Sequence, residues 1–361
     1  MKLGWRGALG IVLSVALLAW TLWPTKVDYH AVWAVLRGAN LPLLVLAALT
    51  ATLTFPLRAR RWQTILSPVA HVPFGALWRS TAIGMMINNV VPARVGELAR
   101  AFSLTREDPR VPLSAAVASI GVDRVFDVIV LFGLMFGAML DPAFPGATRI
   151  AGQPVAVWAR GAMLMIGVLL VLLYGIALMP ERLDALFSRV ARPLSPGLQR
   201  RGSAALHAFA RGLSVLHSPR RFVSVLGWTV AHWLTNALAF WLGFRAVGID
   251  APASAAFFLQ GVIAIGVAVP SSPGFFGVFE AAARLGLDVY DVPASRSVSW
   301  AIGYHILSFI PITLIGAWYA SRLGFSLAQL ERATPEPGTP DADAPTPPEP
   351  GLRSVAADGA R

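Results

Sequence analysis

The chain has 361 residues, of which 56% are hydrophobic and only 14% are charged, whereas soluble domains carry about 25% charged residues. This composition excludes an ordinary soluble domain and predicts an all-α, polytopic membrane protein. The absence of cysteine excludes disulfides, thiolate metal sites and cysteine nucleophiles. The net charge of +11 is explained by arginines in cytoplasmic loops and at lipid headgroups. Nucleic acid is therefore not expected as a partner.

Six segments are suited to full membrane spans, which need about 20 mainly apolar residues. They are residues 7–23, 41–57, 112–140, 157–179, 223–247 and 294–320. The first follows Lys2 and Arg6 as a signal peptide would, but no small-residue cleavage site comes after it. We therefore expect it to remain as the first helix.

Two further apolar regions, 74–106 and 253–287, are interrupted by proline-containing segments. Each region is typical of two short helices that meet at a break. Broken backbone survives at membrane depth only where protein buries it or where it lines a wet cavity. The sequence therefore predicts two re-entrant helical hairpins in addition to about six spans.

The placement of arginine predicts the orientation. The connection 180–222 is rich in arginine and is expected in the cytoplasm, as are "RARRW" at 58–62 and both chain termini. The segments 24–40, 141–156 and 248–252 carry few positive charges and are expected outside. Six full spans satisfy this pattern if the first hairpin enters from the cytoplasm and the second from the outside. The predicted location is the bacterial inner membrane.

This order predicts an internal duplication, with half-repeats at about 7–140 and 157–320 joined by a short outer loop. Each half contains two spans, a hairpin and a span, and the second half begins on the opposite side. The two hairpins also share a weak residue pattern: Pro92, Gly96, Glu97 and Arg100 in the first, and Pro270, Gly274, Gly277, Glu280 and Arg284 in the second. Inverted repeats with paired broken helices are typical of transporters, whose sites lie where the breaks meet.

The membrane domain is expected to cover residues 1–325. Residues 326–361 are rich in proline, alanine and acidic residues, and they are predicted to form a disordered cytoplasmic tail. The amphipathic stretch 181–221 has two interpretations of equal weight. It forms helices that lie on the inner leaflet, or it is a solvated basic loop.

Asp123, Arg124 and Asp127 are charged residues within an apolar segment, where each costs about 2.5–3.5 kcal/mol at a helix centre. Asp123 and Asp127 share a helix face, and Arg124 is placed to pair with Asp127. One interpretation is a structural ion pair near the cytoplasmic end of the span. The other is functional, with a carboxylate that binds an arginine of the first hairpin or carries a proton.

The first hairpin turn combines helix breakers with cations. Helix N-termini present free N–H groups that suit phosphate, and Arg94 and Arg100 add forked donors for its oxygens. Glu97 can pair with Arg100 three residues later. Asn88 and Asn89 either contact the ligand or satisfy the carbonyl groups that the break leaves free.

The second hairpin turn places Ser271, Ser272 and the N–H groups around Gly274 at the start of a half-helix. This arrangement is either an anion nest or an ordinary cap, with Ser272 as the N-cap before Pro273. Glu280 and Arg284 are expected to pair with each other. We therefore predict one substrate site made of Asn88, Asn89, Arg94, Glu97, Arg100, Asp123, Arg124, Asp127, Ser271, Ser272, Gly274 and Glu280.

The sequence contains no motif for a catalytic or metal centre. The six histidines are scattered, and the fingerprints of zinc proteases, serine hydrolases and nucleotide-binding loops are absent. His232 and Asn236 share a helix face and are interpreted as an interhelical contact. We expect no catalytic residue, metal or cofactor.

Four motifs together resemble the family of the lysylphosphatidylglycerol synthase transmembrane region: "LRARRW", "NNVVPARVGELARA", "VDRVFD" and "PSSPGFFGVFE". The resemblance covers about residues 5–325 and implies lipid translocation through a cavity lined by both re-entrant regions. It implies roles for Asn89, Pro92, Arg94, Gly96, Glu97, Arg100, Asp123, Arg124, Asp127, Pro270, Ser271, Pro273, Gly274 and Glu280. Bifunctional members carry a soluble aminoacyl-transferase domain after this region. Here only the tail follows, so aminoacylation of lipid is not expected.

The favoured hypothesis is a flippase or lipid transporter for an anionic phospholipid, a polyprenyl phosphate or a hopanoid-type lipid, rather than an enzyme. One alternative is a membrane transferase that acts on a lipid-linked substrate, with Asp123, Glu97 and His305 as candidate groups. The other is a non-catalytic partner of an envelope-synthesis complex. The sequence does not specify the oligomeric state.

Overall fold

A computed structural model describes residues 5–22, 28–91, 95–145, 179–193, 218–268 and 272–324, with shorter pieces between 149 and 206. In this part of the chain the protein is helical, apart from a two-residue antiparallel pair between Arg149–Ile150 and Gln153–Pro154. This confirms the predicted all-helical class. The predicted tail, 326–361, lies outside the described residues, as does most of the span predicted at 157–179.

Among the described residues, six α-helices come before the antiparallel pair and five after it. The first six are α1 (Trp5–Thr21), α2 (Tyr29–Arg37), α3 (Leu41–Leu66), α4 (Phe74–Val90), α5 (Gly96–Glu107) and α6 (Leu113–Met139). The others are α7 (Pro180–Ala191), α8 (Pro219–Ala246), α9 (Ala253–Ala268), α10 (Val278–Asp288) and α11 (Ala294–Arg322). A 3-10 turn at Pro273–Phe275 comes before α10.

Four of the described helices have the length of a membrane span. α3 and α11 meet both the length and the composition expected of a span. α6 and α8, with 27 and 28 residues, are also longer than the roughly 20 residues that a bilayer requires. Their bounds agree with the predicted segments within a few residues, except that α3 continues to Leu66.

The helix α2 was not predicted, because the sequence in this region was interpreted as an outer loop. Asp28 starts it as a side-chain N-cap: its carboxylate accepts from the backbone N–H groups of His30 at 2.9 Å and Ala31 at 3.3 Å. The helix α7 falls within the stretch 181–221 that was predicted to be amphipathic.

The first hairpin consists of α4 and α5, which run back along each other. Gly84 lies so close to Gly96 that a Cβ atom at residue 84 would stand 2.7 Å from the carbonyl oxygen of Gly96. At the open end, the Arg79 guanidinium donates from Nε to Glu107 at 2.8 Å. Just beyond α5, a hydrogen bond from the Arg110 side chain lowers the pKa of Asp108. The contact between Arg79 and Glu107 therefore brings the beginning of α4 close to the end of α5.

The second hairpin consists of α9, the 3-10 turn and α10. Gly266 packs against Ala282, and Gly286 packs against Leu259 and Val262, so α10 runs back along α9. The start of α10 is set by Gly277, whose φ of 85° is accessible mainly to glycine. Two broken segments at the predicted positions therefore each form a helical hairpin.

Helix contacts in the two halves of the chain follow the same order. α3 packs along α8, and each of them contacts the helix that follows it, α4 and α9 respectively. α4 packs on α11 in the same way as α9 packs on α6. Each hairpin also has its own apolar core, one around Trp62, Leu77 and Leu104, and the other around Leu259, Phe279 and Trp300.

Candidate functional site

A network of charged side chains connects α3, α5 and α6. In the described part of the chain it joins four arginines and three carboxylates: Arg58, Arg61, Arg100, Arg124, Glu97, Asp123 and Asp127. Arg61, Arg100 and Asp123 are fully buried, and Asp127 is only 4% exposed. Charges this deeply buried are stable only when they are paired.

Arg61 lies at the centre of the network, because it bridges the two aspartates of α6. Its Nε lies 2.6 Å from Oδ1 of Asp123, and its Nη1 donates to Oδ1 of Asp127 at 2.6 Å. Asp123 and Asp127 stand one helical turn apart, which matches the forked geometry of a guanidinium group. Arg61 therefore joins α3 to α6 through both carboxylates.

Arg100 brings the first hairpin into the network. Its Nη1 donates to Oδ2 of Asp123 at 3.3 Å and lies 3.8 Å from Glu97. The guanidinium carbon is 3.9 Å from the ring centroid of Trp62, which provides a cation–π contact. An arginine of the first hairpin thus binds an aspartate of α6, as one of the two hypotheses for Asp123 predicted.

Arg58 and Arg124 complete the network at its more open side. Arg58 lies 3.5 Å from Glu97 and 3.6 Å from Asp123. Arg124 contacts Glu97 and donates to Asp127 at 3.3 Å. This confirms the predicted pairing of Arg124 with Asp127. A proton-carrying role for either aspartate stays a prediction.

Arg58 and Arg61 belong to the segment expected in the cytoplasm, but both side chains are buried against other helices. The side of the membrane on which they lie stays a prediction. Residues 58–62 continue α3, and Arg58 and Arg61 are 8% and 0% exposed. Only Arg60 of the three arginines in "RARR" is exposed. The signal for this burial was available, because Arg58 and Arg61, three residues apart, lie on one helix face, as do Asp123 and Asp127, four residues apart.

Among the described residues, the two asparagines of the first hairpin bind groups other than the freed carbonyls. Oδ1 of Asn88 accepts from the backbone N–H of Gly96 at 2.8 Å and so caps the start of α5. Nδ2 of Asn89 donates to the Thr313 hydroxyl on α11 at 2.7 Å. Arg94, with Pro92, lies outside the described residues, so its predicted phosphate contact stays a prediction.

The predicted Glu280–Arg284 pair is not formed. Oε2 of Glu280 accepts from the N–H of Gly277 at 2.6 Å, and its Oε1 lies 2.7 Å from Nδ1 of His305. Glu280 is the third residue of α10, where a glutamate caps its own helix. Arg284 donates instead to the Thr21 carbonyl at 2.8 Å, at the C-terminal end of α1.

Ser272 does not cap α10 as predicted, because a 3-10 turn lies between them. Its N–H donates to the Ser14 hydroxyl on α1 at 2.8 Å, and its own hydroxyl donates to the Phe276 carbonyl at 2.9 Å. Since Glu280 already occupies the N–H of Gly277, the start of α10 is satisfied from within the hairpin. Ser271 and Pro270 lie outside the described residues.

A cavity of about 280 Å³ lies between α3, α8, α9 and α11. Asn89, at the end of α4, lines it from the first hairpin, and Gly274 and Phe275 line it from the second. α4 also contacts the 3-10 turn directly. Residues next to both hairpin turns therefore border one cavity.

The cavity and the charged network are neighbours that share one wall. Trp233 of α8 lines the cavity, and its indole N–H donates to Oδ1 of Asp127 at 3.0 Å. Next to it, Nδ1 of His232 lies 3.0 Å from the Thr54 carbonyl of α3, which confirms its predicted interhelical contact. The predicted site residues thus divide, with Asn89 and Gly274 at the cavity and the Asp123–Asp127 group in the network.

Two comparisons show which known proteins this sequence resembles. A relative named Glycosyltransferase AglD, from Haloferax volcanii, is 31% identical over 160 residues. The match covers 42% of this chain and 25% of the relative, so the chain spans only about a quarter of that protein's length. The family model described as the lysylphosphatidylglycerol synthase TM region matches residues 7–316, which include every residue named in the network and in the cavity lining. The chain therefore belongs to the family of the lysylphosphatidylglycerol synthase TM region.

Proposed function

We propose that this protein moves a lipid between the leaflets of the bacterial inner membrane, as a flippase or lipid transporter rather than an enzyme. The observation that carries the proposal is the cavity of about 280 Å³ bordered by residues next to both hairpin turns. Transporters built from inverted repeats bind their substrates at the place where two broken helices meet. The substrate class is an anionic phospholipid, a polyprenyl phosphate or a hopanoid-type lipid.

The proposed membrane arrangement has about six spans, two re-entrant hairpins and cytoplasmic termini. It is supported by the matched helix contacts, in which α4 packs on α11 as α9 packs on α6. When two related halves are arranged around a pseudo-two-fold axis, the hairpin of each half is expected to pack on the last span of the other half. The re-entrant form of the first hairpin is also supported by the ion pair between Arg79 and Glu107. This pair joins the beginning of α4 to the end of α5, as expected if the hairpin enters and leaves on one side.

In this proposal the charged network stabilises the fold, and the cavity binds the lipid. Each guanidinium of the network already contacts at least two carboxylates. The lipid chains remain in the bilayer, while the headgroup enters between the hairpin turns. Arg94, beside the first turn, is the cation proposed to meet a headgroup phosphate.

A reconstitution experiment tests the proposal. Purified protein in liposomes should move fluorescent lipids between leaflets faster than empty vesicles do. Ala264→Trp places a large ring in the cavity lining and should abolish this movement. Leu238→Trp, at a position that is 48% exposed, is the matched control and should leave it intact. Failure to move any headgroup class would refute the proposal.

A second candidate is a membrane transferase that acts on a lipid-linked substrate. It is favoured by the Glu280–His305 pair, in which the buried carboxylate lies 2.7 Å from Nδ1 of a histidine that lines the cavity. A carboxylate behind an imidazole is a common arrangement for general base catalysis. The relative from Haloferax volcanii is named a glycosyltransferase. Product formation by purified protein, given a polyprenyl phosphate and a nucleotide sugar, would support this alternative.

A further inference from the structure

The polar side chains that line the cavity are amides, hydroxyls, an indole and an imidazole. Asn236 and Gln260 contribute carboxamides, Tyr304 and Ser308 contribute hydroxyls, and His305 contributes an imidazole. No lysine, arginine, aspartate or glutamate is among the described residues of the lining. An ionised phosphate inside this cavity would therefore lack a fixed cation, which is costly in an apolar environment.

Gln260 has a donor that the described part of the chain does not satisfy. Its Oε1 accepts from Nδ2 of Asn236 at 3.2 Å, but its Nε2 has no hydrogen-bond partner among the described residues. The side chain is only 2% exposed. A buried amide donor without a partner is unfavourable, and an incoming acceptor would remove this cost. The cavity is thus prepared for a ligand that accepts a hydrogen bond at Gln260.

His305, on α11, is held in a fixed orientation by its neighbours. Glu280 binds its Nδ1, and the Phe276 ring stacks on it with centroids 4.5 Å apart and an interplanar angle of 25°. Because one ring nitrogen is engaged, the other is the position left for a ligand. Gln260 and His305 therefore offer oriented hydrogen bonds from two different helices.

Several aromatic rings also line the cavity. Phe279 and Tyr304 are nearly parallel, with an interplanar angle of 8°, and Phe240 and Trp233 also line the space. The faces of such rings are electron-rich and attract the weakly positive C–H groups of a ligand. A ligand with apolar C–H faces and several hydroxyl groups satisfies both the rings and the amides.

We infer that the cavity binds an uncharged, polyhydroxylated headgroup, a sugar or an open-chain polyol, carried by the translocated lipid. The inference rests on the proposed function and narrows it to glycosylated or polyol-bearing lipids. The volume of about 280 Å³ is near the lower end of the roughly 300–1,000 Å³ of small-molecule sites, which suits one headgroup without its chains. Phosphate, where the lipid has one, stays outside the cavity.

Competitive lipid binding to the purified full chain, measured by native mass spectrometry in a detergent without a sugar headgroup, tests the inference. The competing lipids are monoglucosyl-diacylglycerol for the ring form, bacteriohopanetetrol for the open-chain form, and phosphatidic acid and diacylglycerol as lipids without a polyol. At least one polyol lipid should bind about tenfold more tightly than phosphatidic acid. Equal or tighter binding of phosphatidic acid would overturn the inference.

Gln260→Met keeps the length of the side chain and removes the amide, so it should reduce the preference for the polyol lipid about tenfold. Leu238→Met, at an exposed position outside the cavity lining, changes no polar group and should retain the preference. An unchanged preference in folded Gln260→Met would also overturn the inference. If Gln260→Met does not fold, Ser308→Ala provides the same comparison, and the competition in the unmodified protein decides without any variant.

The translocation assay separates this inference from the proposed function. Equal movement of glucosylated lipid and phosphatidic acid, together with equal binding, would refute the headgroup assignment and leave the flippase proposal intact. A clear binding preference without movement of any lipid would support the headgroup assignment and refute translocation.

Discussion

The two helical hairpins have the same form but use their charged residues in opposite ways. In the first, Glu97 and Arg100 of α5 reach out to α3 and α6 and join a network of buried ion pairs. In the second, Glu280 of α10 binds its own helix start and His305, next to the cavity. The first hairpin is therefore joined to α3 and α6 by ion pairs. The other keeps its ionisable group beside the space where a ligand would bind.

This difference shows how one architectural unit can take two roles. A broken helix needs its free backbone groups satisfied, and the two hairpins do this with Asn88 and Glu280 respectively. Once that requirement is met, the remaining polar residues are available for other purposes. In the first hairpin they stabilise the fold, and in the second they shape the cavity.

The largest expected effect comes from the centre of the network. Arg61→Met leaves Asp123 and Asp127 buried without their closest partner, and removal of one member of a buried ion pair typically costs about 3–5 kcal/mol. Thermal and denaturant unfolding in detergent should register this loss. Arg60→Met changes an exposed neighbour on the same helix and should have little effect. Equal stability of the two variants would contradict a scaffold role for the network.

An intermediate effect is expected from the packing of the hairpins. A Cβ atom at Gly84 would meet the backbone of Gly96, whereas one at Gly266 would stand 3.0 Å from the Ala282 methyl group. Gly84→Ala should therefore lose about 1–2 kcal/mol net, since overpacking costs about 1–3 kcal/mol and alanine returns up to about 1 kcal/mol of helix propensity. Gly266→Ala should be close to neutral. If Gly266→Ala lowered the free energy of unfolding more than Gly84→Ala, the first hairpin would not be the more tightly packed of the two.

The smallest effect on stability, but a large one on function, is expected at Glu280. Glu280→Gln keeps an acceptor for the Gly277 N–H and weakens the contact with His305, so unfolding should change by only about 1 kcal/mol. Lipid movement in liposomes should fall much more. Asp288→Asn, on the exposed end of the same helix, is the control and should alter neither quantity. A variant that loses stability and activity in equal measure would point to a structural role.

Much of the fold could be predicted because apolar length and helix breakers are local signals. The bounds of both hairpins follow from apolar runs that stop at "NNVVP" and "VAVPSSP". The pairing of a carboxylate of α6 with an arginine of the first hairpin was one of the alternatives that the sequence left open, because a charge inside a membrane span favours a partner. The observed partner is Arg100 at 3.3 Å.

The remaining features depend on contacts that are distant in the sequence. Arg61 meets Asp127 from 66 residues away, and a basic segment after an apolar run is more often a cytoplasmic anchor. The two partners of Glu280, Gly277 and His305, could not be predicted from the sequence for another reason. Its capping role requires the positive φ of Gly277, and its contact with His305 requires that α10 and α11 pack side by side. A local i, i+4 rule could not anticipate either condition.

The attachment of α1 has a consequence for biogenesis. This helix packs on α10, and Arg284 reaches its last turn across 263 residues of sequence. At roughly 5–20 residues per second, the ribosome needs about 13–50 s to produce that partner after α1 has emerged. During this interval the helix must wait in the lipid or be held by an insertion chaperone. Ribosome-stalled chains that end before α10 should therefore leave α1 open to crosslinking.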